Sequence, residues 1–159
     1  MASWTHHEYA IEEGATHIDW ARVHGWLTSS YWSPGISRER VERAARHSAL
    51  LLSAFKEGQQ VAYLRVISDM TRFAYLCDIW VDTAHRRRGL ARAMVSCALE
   101  HPDFLTAAWM LATTDAHVVY VRFGFKPLAD PQCFMRRSPT TPNPSPGPPT
   151  VGFYTVLQK

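Results

Sequence analysis

The chain has 159 residues, 47% hydrophobic and 19% charged; that length suits one ordinary domain with a real core, and that composition excludes a disordered chain. No apolar run approaches the roughly 18 residues of a membrane span, and the opening MASWTHHEYAIEEGA has no basic stretch followed by a long apolar one, so neither a membrane anchor nor a secretory signal is expected. A formal net charge of +3 is too small to imply nucleic acid by itself, and a cytoplasmic protein is the expectation.

HEYAI, 7–11, is expected as a short first strand. THIDWARVHGWLTSS, 16–30, spaces Ile18, Ala21, Val23 and Leu27 at helical period, with Thr16 as its cap. SYWSPGIS breaks the pattern at Pro34 and Gly35, and SRERVERAARHS then predicts an amphipathic helix capped by Ser37. ALLLSAFKEGQQVAYLRVISD, 49–69, predicts two strands around a turn at Glu57-Gly58. TRFAYLCDIWV, apolar on both faces, predicts a buried central strand after a turn over 69–72. Three strands joined by short turns make an antiparallel meander.

The order then changes to helix, strand, helix. Leu90, Met94, Val95, Ala98 and Leu99 form the apolar stripe of one helix, TAAWMLAT at 106–113 predicts a buried strand, and DAHVVYVRF at 115–123 a short helix stopped by Gly124. The strand at 73–81, helix at 90–101 and strand at 107–113 make a unit that normally closes as a right-handed parallel crossover. FKPL and CFMRR are expected as a last hairpin or two short strands. Residues 138–150 hold six of the chain's ten prolines and are expected as a linker outside a 1–137 domain, with 151–159 a strand-like tail.

The unusual stretch is VDTAHRRRGLARAMV, 81–95. Three arginines precede a glycine where a helix begins, and a helix N-terminus already carries partial positive charge. Arg86, Arg87 and Arg88 are therefore locally unfavourable unless an anion lies among them. Gly89 lets backbone approach a ligand closely, Ala91 keeps the first turn open, and the free N–H groups of Leu90, Ala91 and Arg92 suit phosphate oxygens. A solvated basic turn and a nucleic-acid patch are the competing readings of the triplet. Against the patch stand the lack of interleaved aromatics and of a wider basic field.

Two motifs in order favour an anionic cofactor, with an arginine-loop nucleic-acid binder kept as an alternative. Arg86-x-x-Gly89-x-Ala91 after a strand resembles the Q/R-x-x-G-x-G/A acyl-CoA-binding motif of the GNAT N-acetyltransferase superfamily. TTDAHVVYVRFGFKPL resembles its later segment, a strand and short helix carrying a tyrosine, here Tyr120, just before a Gly-Phe pair, here Gly124-Phe125. The resemblance covers about residues 7 to 137. It implies a single α/β domain with a mixed sheet, antiparallel early and parallel at its centre, that binds acetyl-CoA as co-substrate and acetylates a small-molecule or protein amine by direct attack. It further implies that the coenzyme's pyrophosphate lies on the loop amides over Arg86 to Ala91, with Arg92 just inside the helix and the pantetheine arm along Trp80 and Val81. Asp115 stands where many relatives carry an asparagine that contacts this arm; an ionised aspartate accepts but cannot donate. A non-catalytic acyl-CoA sensor is the alternative of a different class. The resemblance also admits a homodimer.

Tyr120 is the candidate general acid for the leaving thiolate, or else an aromatic packing between Val118, Val119 and Val121. The Val81 N–H is the candidate donor to the acetyl carbonyl. Asp78, alone in an apolar strand, needs a reason to be there: a base for the substrate ammonium, or an acceptor holding a loop or an arginine. Tyr31 and Trp32 are the candidate acceptor site, against a role as core under the loop. The eight histidines are scattered without metal-ligand spacing, so no metal is expected, nor a nucleic-acid or membrane partner. Cys77, Cys97 and Cys133 lie in apolar contexts and are expected as buried free thiols.

Overall fold

The computed structural model describes residues 2–114 and 116–137. Six strands, β1 (Ser3–His6), β2 (Tyr9–Glu13), β3 (Leu50–Lys56), β4 (Gln59–Ser68), β5 (Phe73–Val81) and β6 (Ala108–Met110), form one sheet in sequence order. Every neighbouring pair is antiparallel except β5–β6, which is parallel. Helices α1 (Trp20–Thr28) and α2 (Arg38–Arg46) connect β2 to β3, α3 (Leu90–Leu99) makes the crossover from β5 to β6, and α4 (His117–Val121) follows β6.

Strand alternation assigns the two faces. Leu50, Leu52, Ala62, Leu64, Val66, Ala74 and Leu76 pack with Leu90, Met94, Val95 and Ala98 of α3. Leu51 and Tyr63 face the other way, against Val23 and Leu27 of α1 and Val41 and Ala45 of α2. The Asp19 backbone N–H ties the start of α1 to the sheet through buried Gln60 Oε1 at 2.8 Å, and Gln60 in turn donates to Ser53 Oγ at 2.9 Å. The turn from β4 to β5 is held by one carboxylate: Asp69 Oδ1 accepts from the N–H groups of Thr71, Arg72 and Phe73 at 3.0, 2.8 and 2.9 Å. These three bonds hold the Asp69 pKa below its ordinary value.

The meander, the crossover and the Ser37 cap of α2 stand as expected from the sequence. Several boundaries differ. The first strand is a hairpin, β1 and β2, whose turn occupies His7 and Glu8; His7 takes a left-handed φ of 52°, so no Gly or Asn marks it. Asp19, not Thr16, caps α1, accepting from the Arg22 N–H at 3.0 Å. The strand over 106–113 shortens to Ala108–Met110, because the chain beyond it diverges from β5. FKPL and CFMRR form no strand; the region holds a 3-10 turn at Pro131–Cys133 on the surface, which also leaves Cys133 exposed while Cys77 and Cys97 are buried. Burial pushes the Cys97 thiol up to about 11. The expected linker at 138–150 and tail at 151–159 lie outside the described residues.

Candidate active site

The site is organised by an irregularity in β5. Tyr63 pairs with Trp80, but Arg65 pairs with Cys77, so β5 carries one residue more than β4 there. Asp78 takes a left-handed φ of 51°, as expected in a β-bulge. The bulge shifts the alternation: Ala74 and Leu76 face α3, and after it Ile79 and Val81 do. Cys77 lies opposite the α3 face by ordinary alternation, and the bulge turns Asp78 and Trp80 to that side as well. A regular strand would have sent Asp78 to the same face as Ala74 and Leu76.

On that face the Asp78 carboxylate is already engaged. Oδ2 accepts from Arg65 Nε at 2.5 Å and Oδ1 from Trp32 Nε1 at 3.2 Å, while Arg65 Nη1 donates to Ser48 Oγ at 3.2 Å. Burial works to lower the Arg65 pKa, but the charge and hydrogen bond of Asp78 outweigh it, and the net shift is upward. Trp32 is 5% exposed, with its ring 6.0 Å from that of Trp80 and 5.2 Å from that of Tyr31. Tyr31 is 39% exposed, and its hydroxyl accepts from Thr114 Oγ1 at 2.9 Å. This contact spans the gap from the loop after α1 to the loop after β6. Tyr31, Trp32, Asp78 and Trp80 are thus linked through ring contacts and one hydrogen bond, with Tyr31 exposed and Trp32 buried in the core beneath it.

The opposite edge of β5 is open. β6 pairs only with Phe73, Ala74 and Tyr75. Farther along, the Asp82 N–H donates to Val61 O at 2.8 Å on the β4 side. Alternation then turns the Val81 N–H and C=O away from β4, to the open side. There Val81 O accepts from Arg86 Nε at 3.0 Å, and the Arg86 guanidinium lies 5.4 Å over the Trp80 ring. Burial lowers the Arg86 pKa from its ordinary value.

Arg87 and Gly89 both take left-handed conformations, φ 61° and 75°, so the loop turns sharply before entering α3. Gly89 is the N-cap and supplies no side-chain hydrogen bond. The N–H groups of Leu90, Ala91 and Arg92 thus begin the helix without a side-chain cap, directly after three consecutive arginines in the chain. Arg88 does not stand alone: Nη1 donates to Glu8 Oε1 at 3.0 Å, and Lys56 Nζ reaches the same oxygen at 3.0 Å. Leu90 buries its side chain in the core, whereas Arg87 and Arg92 are exposed.

Tyr120 belongs to the α3 face, 1% exposed, its ring edge-on to Phe125 at 5.9 Å. It lines a cleft of about 280 Å³ with Trp109 to Thr113 and His117. Asp78 and Tyr120 thus sit on opposite faces of β5. Asp115 lies outside the described residues. Among the described residues no group of three or more His, Cys, Asp or Glu could hold a metal ion, and no helix is long and apolar enough to cross a membrane.

Sequence reasoning missed Arg65, Ser48 and Thr114 on the Asp78 side, and His6, Glu8 and Tyr9 beside the arginine loop. Arg65 had a readable signal, being the single cation in β4, on the strand next to the single carboxylate of β5. The others are remote contacts with no local pattern.

Comparison with known proteins bears on the family and the fold. The family model described as "Acetyltransferase (GNAT) family" matches residues 11–125. A solved structure from Xanthomonas campestris pv. campestris, described as belonging to the GNAT family, is 38% identical, with 80% of this chain and 92% of that chain covered and a TM-score of 0.76. A GNAT family acetyltransferase from Streptococcus pneumoniae TIGR4 (22% identity, TM-score 0.63, 83% and 98% covered) and a GCN5-related N-acetyltransferase from Ralstonia eutropha JMP134 (17%, 0.62, 84% and 99%) share the fold. No curated protein gives a significant match.

Proposed function

The chain belongs to the GNAT acetyltransferase family, and from that premise we propose that it transfers the acetyl group of acetyl-CoA to a primary amine within a ternary complex. The single observation that carries this reading is the uncapped N-terminus of α3, which follows directly on Arg86, Arg87 and Arg88 where β5 is open beyond Tyr75. These residues fit a pyrophosphate: the first-turn N–H groups need acceptors, the helix dipole favours an anion, and Arg87 is exposed to add a charge-assisted bond. Leu90, Ala91 and Arg92 would hold the phosphate oxygens through their amides, and the unpaired edge at Val81 would hold the arm.

When bound, acetyl-CoA supplies an activated acetyl thioester. The Val81 N–H, facing the open side, is placed to donate to a carbonyl oxygen there. Tyr120 Oη is our choice for the proton donor to the leaving sulfur, from the α3 face. The amine would enter from the other face, past Tyr31, Trp32 and Trp80. Asp78 serves in this reading as a positioning residue: its two oxygens hold Arg65 and the Trp32 indole, which supports a role in shaping the acceptor surface over one as base. The proton from the amine is then left to solvent. A small-molecule or protein amine in the cytoplasm is the acceptor class we propose.

Calorimetric titration with acetyl-CoA tests this, on wild type and on Gly89→Asp. The variant keeps a residue that tolerates the left-handed conformation but sets a negative charge in the cradle. Micromolar binding to wild type, weakened at least 100-fold in the variant, is expected. A wild type that does not bind acetyl-CoA sinks the reading.

A further inference from the structure

The arginine loop is gripped from outside by a segment some 80 residues earlier in the chain. His6 Nε2 lies 3.0 Å from Arg88 O; a carbonyl only accepts, so Nε2 carries the proton and donates. Glu8 Oε1 accepts from Arg88 Nη1 at 3.0 Å. The Tyr9 hydroxyl is hydrogen-bonded to His85 Nδ1 at 3.1 Å, with the two rings edge-on at 5.7 Å. Tyr9 itself is 1% exposed and anchored in the core, so the grip is mounted on a rigid base. The loop needs such a grip, because it holds two left-handed residues within three positions, one of them an arginine, for which that conformation is strained.

From this we infer that the β1–β2 hairpin positions the coenzyme loop, and that His6 does so by holding the Arg88–Gly89 peptide in one orientation. The inference rests on the acetyl-CoA reading above. The physical reason is the planar trans peptide: with Arg88 O turned to His6, the Gly89 N–H points the opposite way, away from the hairpin. Rotation of that peptide is cheap next to a glycine. Without the His6 donor, the unit is free to flip and present a carbonyl oxygen where an anion must sit. Steric contact supports the same grip, since a Cβ on Gly89 would lie 3.2 Å from His6 Nε2. Glu8 holds the Arg88 guanidinium along the hairpin, and Tyr9 holds the loop's upstream end through His85.

The test compares coenzyme A with pantetheine, which lacks the pyrophosphate and adenosine. Both are titrated calorimetrically into wild type, His6→Ala, His6→Gln and Tyr9→Phe, and the thermal midpoint of each unliganded protein is measured. His6→Ala should weaken coenzyme A about 10-fold, leave pantetheine within about 2-fold, and barely move the midpoint. His6→Gln, whose amide can donate to the same carbonyl, should recover most of the loss. Tyr9→Phe, which keeps the buried ring, should weaken coenzyme A about 3-fold. Unchanged coenzyme A affinity in His6→Ala and Tyr9→Phe overturns the inference and leaves the acetyltransferase reading standing. Equal loss for both ligands, or a loss that tracks a fall in midpoint and is not recovered by glutamine, also overturns it, as plain structural damage. A wild type that binds no coenzyme A takes down the acetyltransferase reading and this inference with it.

Discussion

The two edges of β5 differ although one strand makes both. Toward β4 it is paired from Ala74 to Val81, interrupted once by the bulge at Asp78. Toward β6 it is paired only from Phe73 to Tyr75. The closed edge spends its backbone groups on the sheet and its side chains on two cores. The open edge leaves backbone groups near Val81 facing the arginine loop. Burial therefore explains the closed edge and does not explain the open one; an edge left unpaired in the middle of a domain is a liability unless something else binds there.

Four substitutions would break or sharpen that contrast. The largest effect is expected on the closed edge. Asp78→Ala leaves the largely buried Arg65 guanidinium without its partner and puts alanine at a left-handed position, so the protein should lose about 3 kcal/mol in denaturant unfolding. A loss under 1 kcal/mol would mean that the ion pair does not brace the bulge. Next is the open edge: Tyr120→Phe should lower kcat about 100-fold, near 2.7 kcal/mol, with KM for acetyl-CoA within about 2-fold, measured on the first amine that supports turnover. Unchanged kcat would reduce Tyr120 to a packing residue and remove the proposed acid.

Trp32→Phe keeps the ring contact with Trp80 but removes the donor to Asp78, and should cost about 1.5 kcal/mol of stability. If Asp78 shapes the acceptor surface, KM for the amine should rise with it while coenzyme A affinity stays put. Smallest is Asp69→Ala, at the turn where β5 begins. The wild-type carboxylate has its pKa lowered on folding, so its stabilisation is present above the ordinary carboxylate value of about 3.9 and fades as pH falls through the lower folded value. The midpoint gap between wild type and variant should thus be full at pH 7 and close under strong acid. A gap that does not vary with pH would assign the effect to the turn backbone rather than to the charge.

The strands from β3 to β5, helices α2 and α3 and the arginine loop were legible because each is a local pattern. The Leu90-to-Leu99 stripe, the Glu57-Gly58 turn and the Ser37 cap all lie within one or two turns of chain. The hairpin turn at His7 and Glu8 was not legible, since neither residue is a usual turn former. The bulge left only a faint trace, an aspartate at the point where the apolar alternation of β5 changes phase.

Local periodicity determined the strand meander and the crossover helix, and the resemblance of the Arg86–Ala91 and Tyr120–Phe125 segments to GNAT motifs pointed from the sequence alone to the family and nominated the arginine loop as the coenzyme site. Only the tertiary structure decided what those residues touch. The pairing of Asp78 with Arg65 and Trp32, the contact of Tyr31 with Thr114, and the hold of His6 and Glu8 on Arg88 join positions 13 to 83 residues apart. Such contacts leave no local pattern, because they form only when the sheet brings distant strands into register.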